Sequence, residues 1–91
     1  MKIHNEFKAL SDLNRCKILQ LLKKKNMTAG ELSDSLGISP ASLSYHLDIL
    51  RKADMVISYK DKNYVVYELN ISLMEELVVW LKNIGGFENE E

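Results

Sequence analysis

In Thr28–His46, "TAGELSDSLGISPASLSYH", two helix-start signals stand eleven residues apart with Gly37 just ahead of the second. Thr28 with Glu31 three residues on is a capping box, in which side chain and backbone of each residue satisfy the other. Leu32 and Leu36 share one face of the helix this opens, and Gly37 is its stop. Ser39 is the next N-cap, and Pro40 follows at the first helical position, where a missing N–H loses no partner. A short helix, a Gly-containing turn of about three residues and a longer helix form a helix-turn-helix unit, here over residues 28–53.

The flanking sequence places that unit in a larger frame. Ile3, Phe7 and Leu10 fall at i, i+4 and i+7 and predict a short helix over 3–10. Leu13, Ile18, Leu21 and Leu22 predict a second, with Ser11 or Asp12 as N-cap and three lysines suited to the dipole of its last turn. After Ala53 the pattern changes to "MVISY" and "YVVYEL", β-branched and aromatic runs separated by "KDKN", which predict an antiparallel hairpin, a wing over 55–69. A capping box at Ser72 and Glu75 and a Gly-Gly stop bound a last helix over 73–84, before an acidic "FENEE" expected to fray. The order α-α-α-α-β-β-α is a mainly α fold with a small β-hairpin, a winged helix-turn-helix in a single domain, 1–91.

Ninety-one residues give one small core, at a size where a second subunit often completes the burial. No run approaches the 18 apolar residues of a membrane span, and the N-terminus lacks the apolar stretch of a signal peptide, so a cytoplasmic protein without membrane insertion is expected. Cys16 is the single cysteine, which excludes an intramolecular disulfide and a CxxC metal or redox pair, and it reads as a structural thiol. The net charge is −1, unevenly spread. Residues 1–27 hold seven Lys/Arg and two acids, 28–54 two and four, 55–70 two and two, and 71–91 one and five. A strong, continuous basic stripe is therefore excluded. Nucleophile–base pairs, paired carboxylates and a phosphate-cradling glycine loop are all missing, which argues against an enzyme.

On an ideal helix, Leu47 and Leu50 lie within about 40° of Leu43, while Ala41, Tyr45, Asp48 and Lys52 point roughly the opposite way. Ser44 and Arg51 flank that outer face. Small residues let a backbone approach a groove, and Ser and Tyr hydroxyls bond to base edges or phosphates. Ser39, Ala41, Ser42, Ser44 and Tyr45 are thus offered to DNA. Arg51, Lys52, and Lys60 and Lys62 of the wing are offered to phosphates, with Arg15 or Lys17 as further cations. Asp48 opposes phosphate on this face. His46, about 60° from Leu43, reads as a core-border histidine with a hydrogen-bonded ring, not a metal ligand.

Taken together, "FKALSDLNRCKILQLL", "TAGELSDSLGISPASLSYHLDILRKADMV" and "YVVYELN" resemble the ArsR-type winged helix-turn-helix repressors over about residues 3–84, and within them the SdpR-type autorepressors. The resemblance implies a homodimeric DNA-binding transcriptional regulator, with DNA contacts at Ala41, Ser42, Ser44 and Tyr45 and wing contacts near Lys62. It also implies that the family's metal-binding positions fall on Thr28, Gly30 and Ser33 and on a last helix without histidine, so no metal and no cofactor is expected. The chain departs from the family in Leu13-Asn14, where Pro-Thr is usual, and in Asp48, where many members carry Lys.

Leu73, Leu77, Trp80, Leu81 and Ile84 make the last helix apolar over a surface too wide for one side of a small monomer. With Ile3 and Phe7 they are expected to form a two-fold homodimer, which would set two reading helices about 34 Å apart on an inverted repeat in double-stranded DNA. An inducer or a protein anti-repressor would be its further partner. The alternative reading is a winged-helix protein-interaction module with little DNA affinity, supported by Asp48 and the missing basic stripe.

Overall fold

The computed structural model describes residues 3–86 and realises the expected element order with one addition. Helices α1 (Ile3–Leu10) and α2 (Leu13–Lys24) lead into a two-residue strand β1 (Met27–Thr28). The pair α3 (Ala29–Leu36) and α4 (Pro40–Lys52) follows, then β2 (Val56–Asp61), β3 (Tyr64–Leu69) and α5 (Ile71–Gly85).

The hairpin is therefore the major part of a three-stranded antiparallel sheet ordered β1-β3-β2. Met27 pairs with Tyr67 and Thr28 with Val66, while β2 and β3 run in register from Val56↔Leu69 to Asp61↔Tyr64. Strand β1 is the correction to the two-stranded wing. Two residues are too few to show alternation, and the pairing is set by Met27 turning its side chain into the core.

Capping explains the helix-turn-helix geometry. The Thr28 hydroxyl accepts from the Glu31 N–H at 3.2 Å, and the Glu31 carboxylate accepts from the Thr28 N–H at 2.9 Å. Gly37 stands at φ 67°, the left-handed conformation glycine adopts without strain, and its N–H closes on the Ser33 carbonyl at 2.9 Å. Ser33 also donates its hydroxyl to the Ile38 carbonyl at 2.9 Å, fixing the turn from both sides. Helix α4 starts as expected, Ser39 accepting from the Ser42 N–H at 3.1 Å. It ends in a Schellman motif: the Met55 N–H bonds to Leu50 O at 3.0 Å and Asp54 N–H to Arg51 O at 2.9 Å, with Asp54 at φ 61°.

Two N-cap expectations change. Asp12 occupies the N-cap of α2, yet its carboxylate makes no capping bond and turns toward His46. The Ser72–Glu75 capping box does not form, because α5 starts earlier, at Ile71. Asn70 caps it, accepting from the Leu73 N–H at 3.3 Å while donating to the Asp54 carbonyl at 2.8 Å. One residue thus ends β3, starts α5 and braces the turn after α4.

The core gathers Ile18 and Leu22 of α2, Leu32 of α3, Leu43, Leu47 and Leu50 of α4, and Met55 and Val56. Leu73 and Leu77 also join it. Both were expected at the dimer contact and are instead buried in the chain's own core, because the start of α5 faces inward. The side chain of Ile3 and the "FENEE" segment lie outside the described residues. No helix among the described residues is long and apolar enough to cross a membrane.

Candidate nucleic-acid interface

Helix α4 divides by face. Leu43, Leu47 and Leu50 are almost completely buried and fix the helix to α2, α3 and the sheet. Ala41, Ser44, Tyr45, Arg51 and Lys52 are exposed on the other side, with Ser42 half-buried between. Tyr45 keeps 63% of its surface open. A ring held out on a clamped helix gains nothing from water, so its placement suits a partner surface. Ser39 is exposed, with its oxygen engaged as the cap and its O–H proton still available to donate.

His46 lies behind this face and is buried. Arg15 donates from Nη1 to His46 Nδ1 at 3.0 Å, from Nε to the Ala9 carbonyl at 2.8 Å and from Nη2 to the Lys8 carbonyl at 3.3 Å. A guanidinium has no acceptor, so Nδ1 must accept and the imidazole proton sits on Nε2. Asp12 Oδ2 stands 3.5 Å from the same Nδ1 without forming a hydrogen bond to it. This gives His46 the core-border role read from the helical wheel. It also removes Arg15 from the phosphate candidates: the residue is 7% exposed, and its donors tie the end of α1 to the back of α4. Lys17 remains exposed. Cys16 is half-buried and donates its thiol to the Leu10 carbonyl at 3.3 Å.

The last two turns of α4 carry the charge. Asp48 Oδ1 accepts from Arg51 Nη2 at 3.3 Å and Oδ2 lies 3.0 Å from Lys52 Nζ. Lys52 beside the carboxylate, and Arg51 secondarily, hold the Asp48 carboxyl below its usual range. The wing adds exposed Lys60 and Lys62, the latter at φ 58° in the two-residue tip between Asp61 and Tyr64. Tyr59, Tyr64 and Val65 are exposed there too, and were not singled out from sequence. Tyr59 is tethered, its hydroxyl accepting from Asn26 Nδ2 at 3.1 Å, while Tyr64 stands next to the tip. Aromatic residues in a β pattern read first as sheet formers, which concealed this outward pair.

On α5, Val78, Val79, Leu81 and Ile84 are exposed and Trp80 is half-buried, packed edge-on to Phe7 of α1 at a centroid distance of 5.3 Å. Among the described residues no group of three or more His, Cys, Asp or Glu is arranged to hold a metal. Of the metal positions implied by the resemblance, Thr28 caps α3, Ser33 braces the turn after it, and Gly30 lies in its first turn.

The family model described as "Bacterial regulatory protein, arsR family" matches residues 12–58. The chain is 38% identical over 81 residues to the transcriptional repressor SdpR of Bacillus subtilis, covering 89% of this chain and 90% of that protein. It is 32% identical over 71 residues to the arsenical resistance operon repressor of Staphylococcus aureus, covering 78% and 68%. Among solved structures, HlyU of Vibrio cholerae superposes with a TM-score of 0.75 at 30% identity, covering 91% and 90% of the two chains. An ArsR-like transcriptional regulator from Rhodococcus sp. RHA1 superposes with a TM-score of 0.85 at 28% identity, covering 91% and 78%.

Proposed function

The chain belongs to the ArsR family of bacterial regulatory proteins and is a DNA-binding transcriptional regulator, and we propose that it acts as a homodimeric repressor, with the N-terminal turns of α4 read against the major groove of an inverted repeat. The observation that carries this reading is the outward presentation of Tyr45 beside Ala41 and Ser44, on a helix whose opposite face is locked by Leu43, Leu47 and Leu50. A rigid reading helix holds its side chains at fixed positions along the groove, which specificity for base edges requires. Arg51, Lys52, Lys60 and Lys62 supply phosphate contacts that position it, and Ser39 and Ser42 lie at the helix start, where such helices meet the groove.

Repression is supported by the Bacillus and Staphylococcus relatives, both of which are named as repressors. Dimerisation is supported by Val78, Leu81 and Ile84, which follow one another at three-residue spacing on α5 and stay exposed on the helix that carries the Phe7–Trp80 pair. An isologous contact would cover them. A protein-interaction module would use the same residues without DNA.

Fluorescence anisotropy on the duplex upstream of the protein's own gene separates the two readings. A specific reader binds that duplex at least about a thousandfold tighter than scrambled DNA at physiological salt. Equal affinity for both would overturn the reader.

A further inference from the structure

Helix α4 has two cations, Arg51 and Lys52, and both engage one carboxylate. Asp48 sits three and four residues before them, the spacings at which helical side chains become neighbours, and each of its oxygens faces a different cation, at 3.3 and 3.0 Å. The side chains are about half or more exposed, so the pairs can open toward an approaching polyanion.

Position along the helix decides what such a carboxylate can do. Reading helices touch base edges with their N-terminal residues. Asp48 lies seven residues beyond Ala41, which at 1.5 Å per residue is about 10 Å further along α4, level with the cations and away from the helix start. A carboxylate accepting from a cytosine amino group would first have to release Arg51 or Lys52. A carboxylate that competes with phosphate for the same two cations needs no rearrangement to act.

We propose that Asp48 is an affinity-limiting positioning residue: by holding Arg51 and Lys52 along the helix it weakens their phosphate contacts on DNA of any sequence, and it reads no base. This rests on α4 being the DNA-facing helix. Its consequence is selectivity in a genome, where non-specific binding is almost wholly electrostatic and bulk sites compete for every regulator. The chain keeps a counter-charge beside both cations of α4 and leaves recognition to the uncharged start of the helix.

The test compares wild type with Asp48→Asn, which keeps the shape and removes the charge, on the upstream duplex and on scrambled duplex over a salt series. Asp48→Asn is expected to bind both duplexes about fivefold tighter at moderate salt, as two weak surface pairs cease to compete. Its log–log salt slope steepens by about one per protomer, as one more cation per protomer meets phosphate. Arg51→Ala and Lys52→Ala, each combined with Asp48→Asn, remove that gain. Unchanged affinity and slope in Asp48→Asn would overturn the proposal, as would weaker binding of the upstream duplex alone, the mark of a base contact. If wild type shows no preference for the upstream duplex while Asp48→Asn still gains on both, specific reading fails and the role of Asp48 stands. If wild type prefers it and Asp48→Asn changes nothing, the reverse holds.

Discussion

Helices α4 and α5 are both amphipathic, yet the protomer treats their apolar faces in opposite ways. All three leucines of the α4 stripe are buried, and its outer face is small, hydroxylated or charged with a single aromatic ring. Helix α5 buries only Leu73 and Leu77 and leaves Val78, Val79, Leu81 and Ile84 exposed, the last at 66%. A helix whose apolar face is complete within its own domain is a scaffold for whatever its other face carries. One whose apolar face is half-used leaves surface for a partner, and the proposed homodimer supplies it from a second copy. On the proposed reading, the exposed residues to test are thus Tyr45 on α4 and Val78, Leu81 and Ile84 on α5.

Substitutions that attack each face separately sharpen this contrast. Leu50→Ala opens a cavity in the completed α4 stripe and is expected to cost about 2–5 kcal/mol of unfolding free energy in a denaturant melt; a cost below about 1 kcal/mol would show that the stripe does not anchor the helix. Leu81→Glu with Ile84→Glu is expected to sediment as a monomer with retained helical content. Its affinity for the operator falls about a hundredfold through loss of the second half-site. A sedimenting dimer in that variant would place the interface elsewhere.

Tyr45→Ala leaves the fold intact and is expected to reduce discrimination between operator and scrambled duplex by about 1–3 kcal/mol, the range for a base contact. An equal loss on both duplexes would make the ring a backbone contact. Gly37→Ala strains the left-handed turn that sets α4 against α3 and costs about 1 kcal/mol in the same melt; the open space around Gly37 leaves φ as the cause.

The smallest effect is a flat pH response. The Asp48 carboxyl is depressed below its usual range by Lys52 and Arg51, so its ion pairs are complete above the ordinary carboxylate pKa and are lost only as pH falls through the lower, folded value. The salt-slope difference between wild type and Asp48→Asn is therefore expected to stay constant from pH 6 to 8.

The capping signals of the helix-turn-helix were the most legible part of the fold, while those of α2 and α5 misled. The Thr28–Glu31 box, Gly37 and Ser39-Pro40 each specify a local hydrogen bond or dihedral, and each reappears in place. Features that depend on partners distant in sequence were not legible. Strand β1 exists because Met27 meets Tyr67, and Asn70 replaces Ser72 as cap because the Asp54 carbonyl lies within its reach. Arg15 shows the same limit within the site. A charged residue on α2 reads as exposed, and only the folded chain brings it to Ala9 O and His46 Nδ1, where its burial is compensated. Glu6 is likewise buried, with Oε1 unpaired among the described residues, and nothing in the structure explains it. The outer face of α4 was legible because a helical wheel needs no distant information. The pairing of Asp48 with both of its neighbours awaited the side chains themselves.

Hydroxyl-radical footprinting of the purified protein on the duplex upstream of its own gene decides whether two copies of α4 read DNA. Two clusters of protection one helical turn apart, about 10 base pairs, and related by an inverted repeat, are predicted for two copies of α4 held by a dimer. An unprotected ladder at concentrations where the protein is folded and dimeric would contradict it.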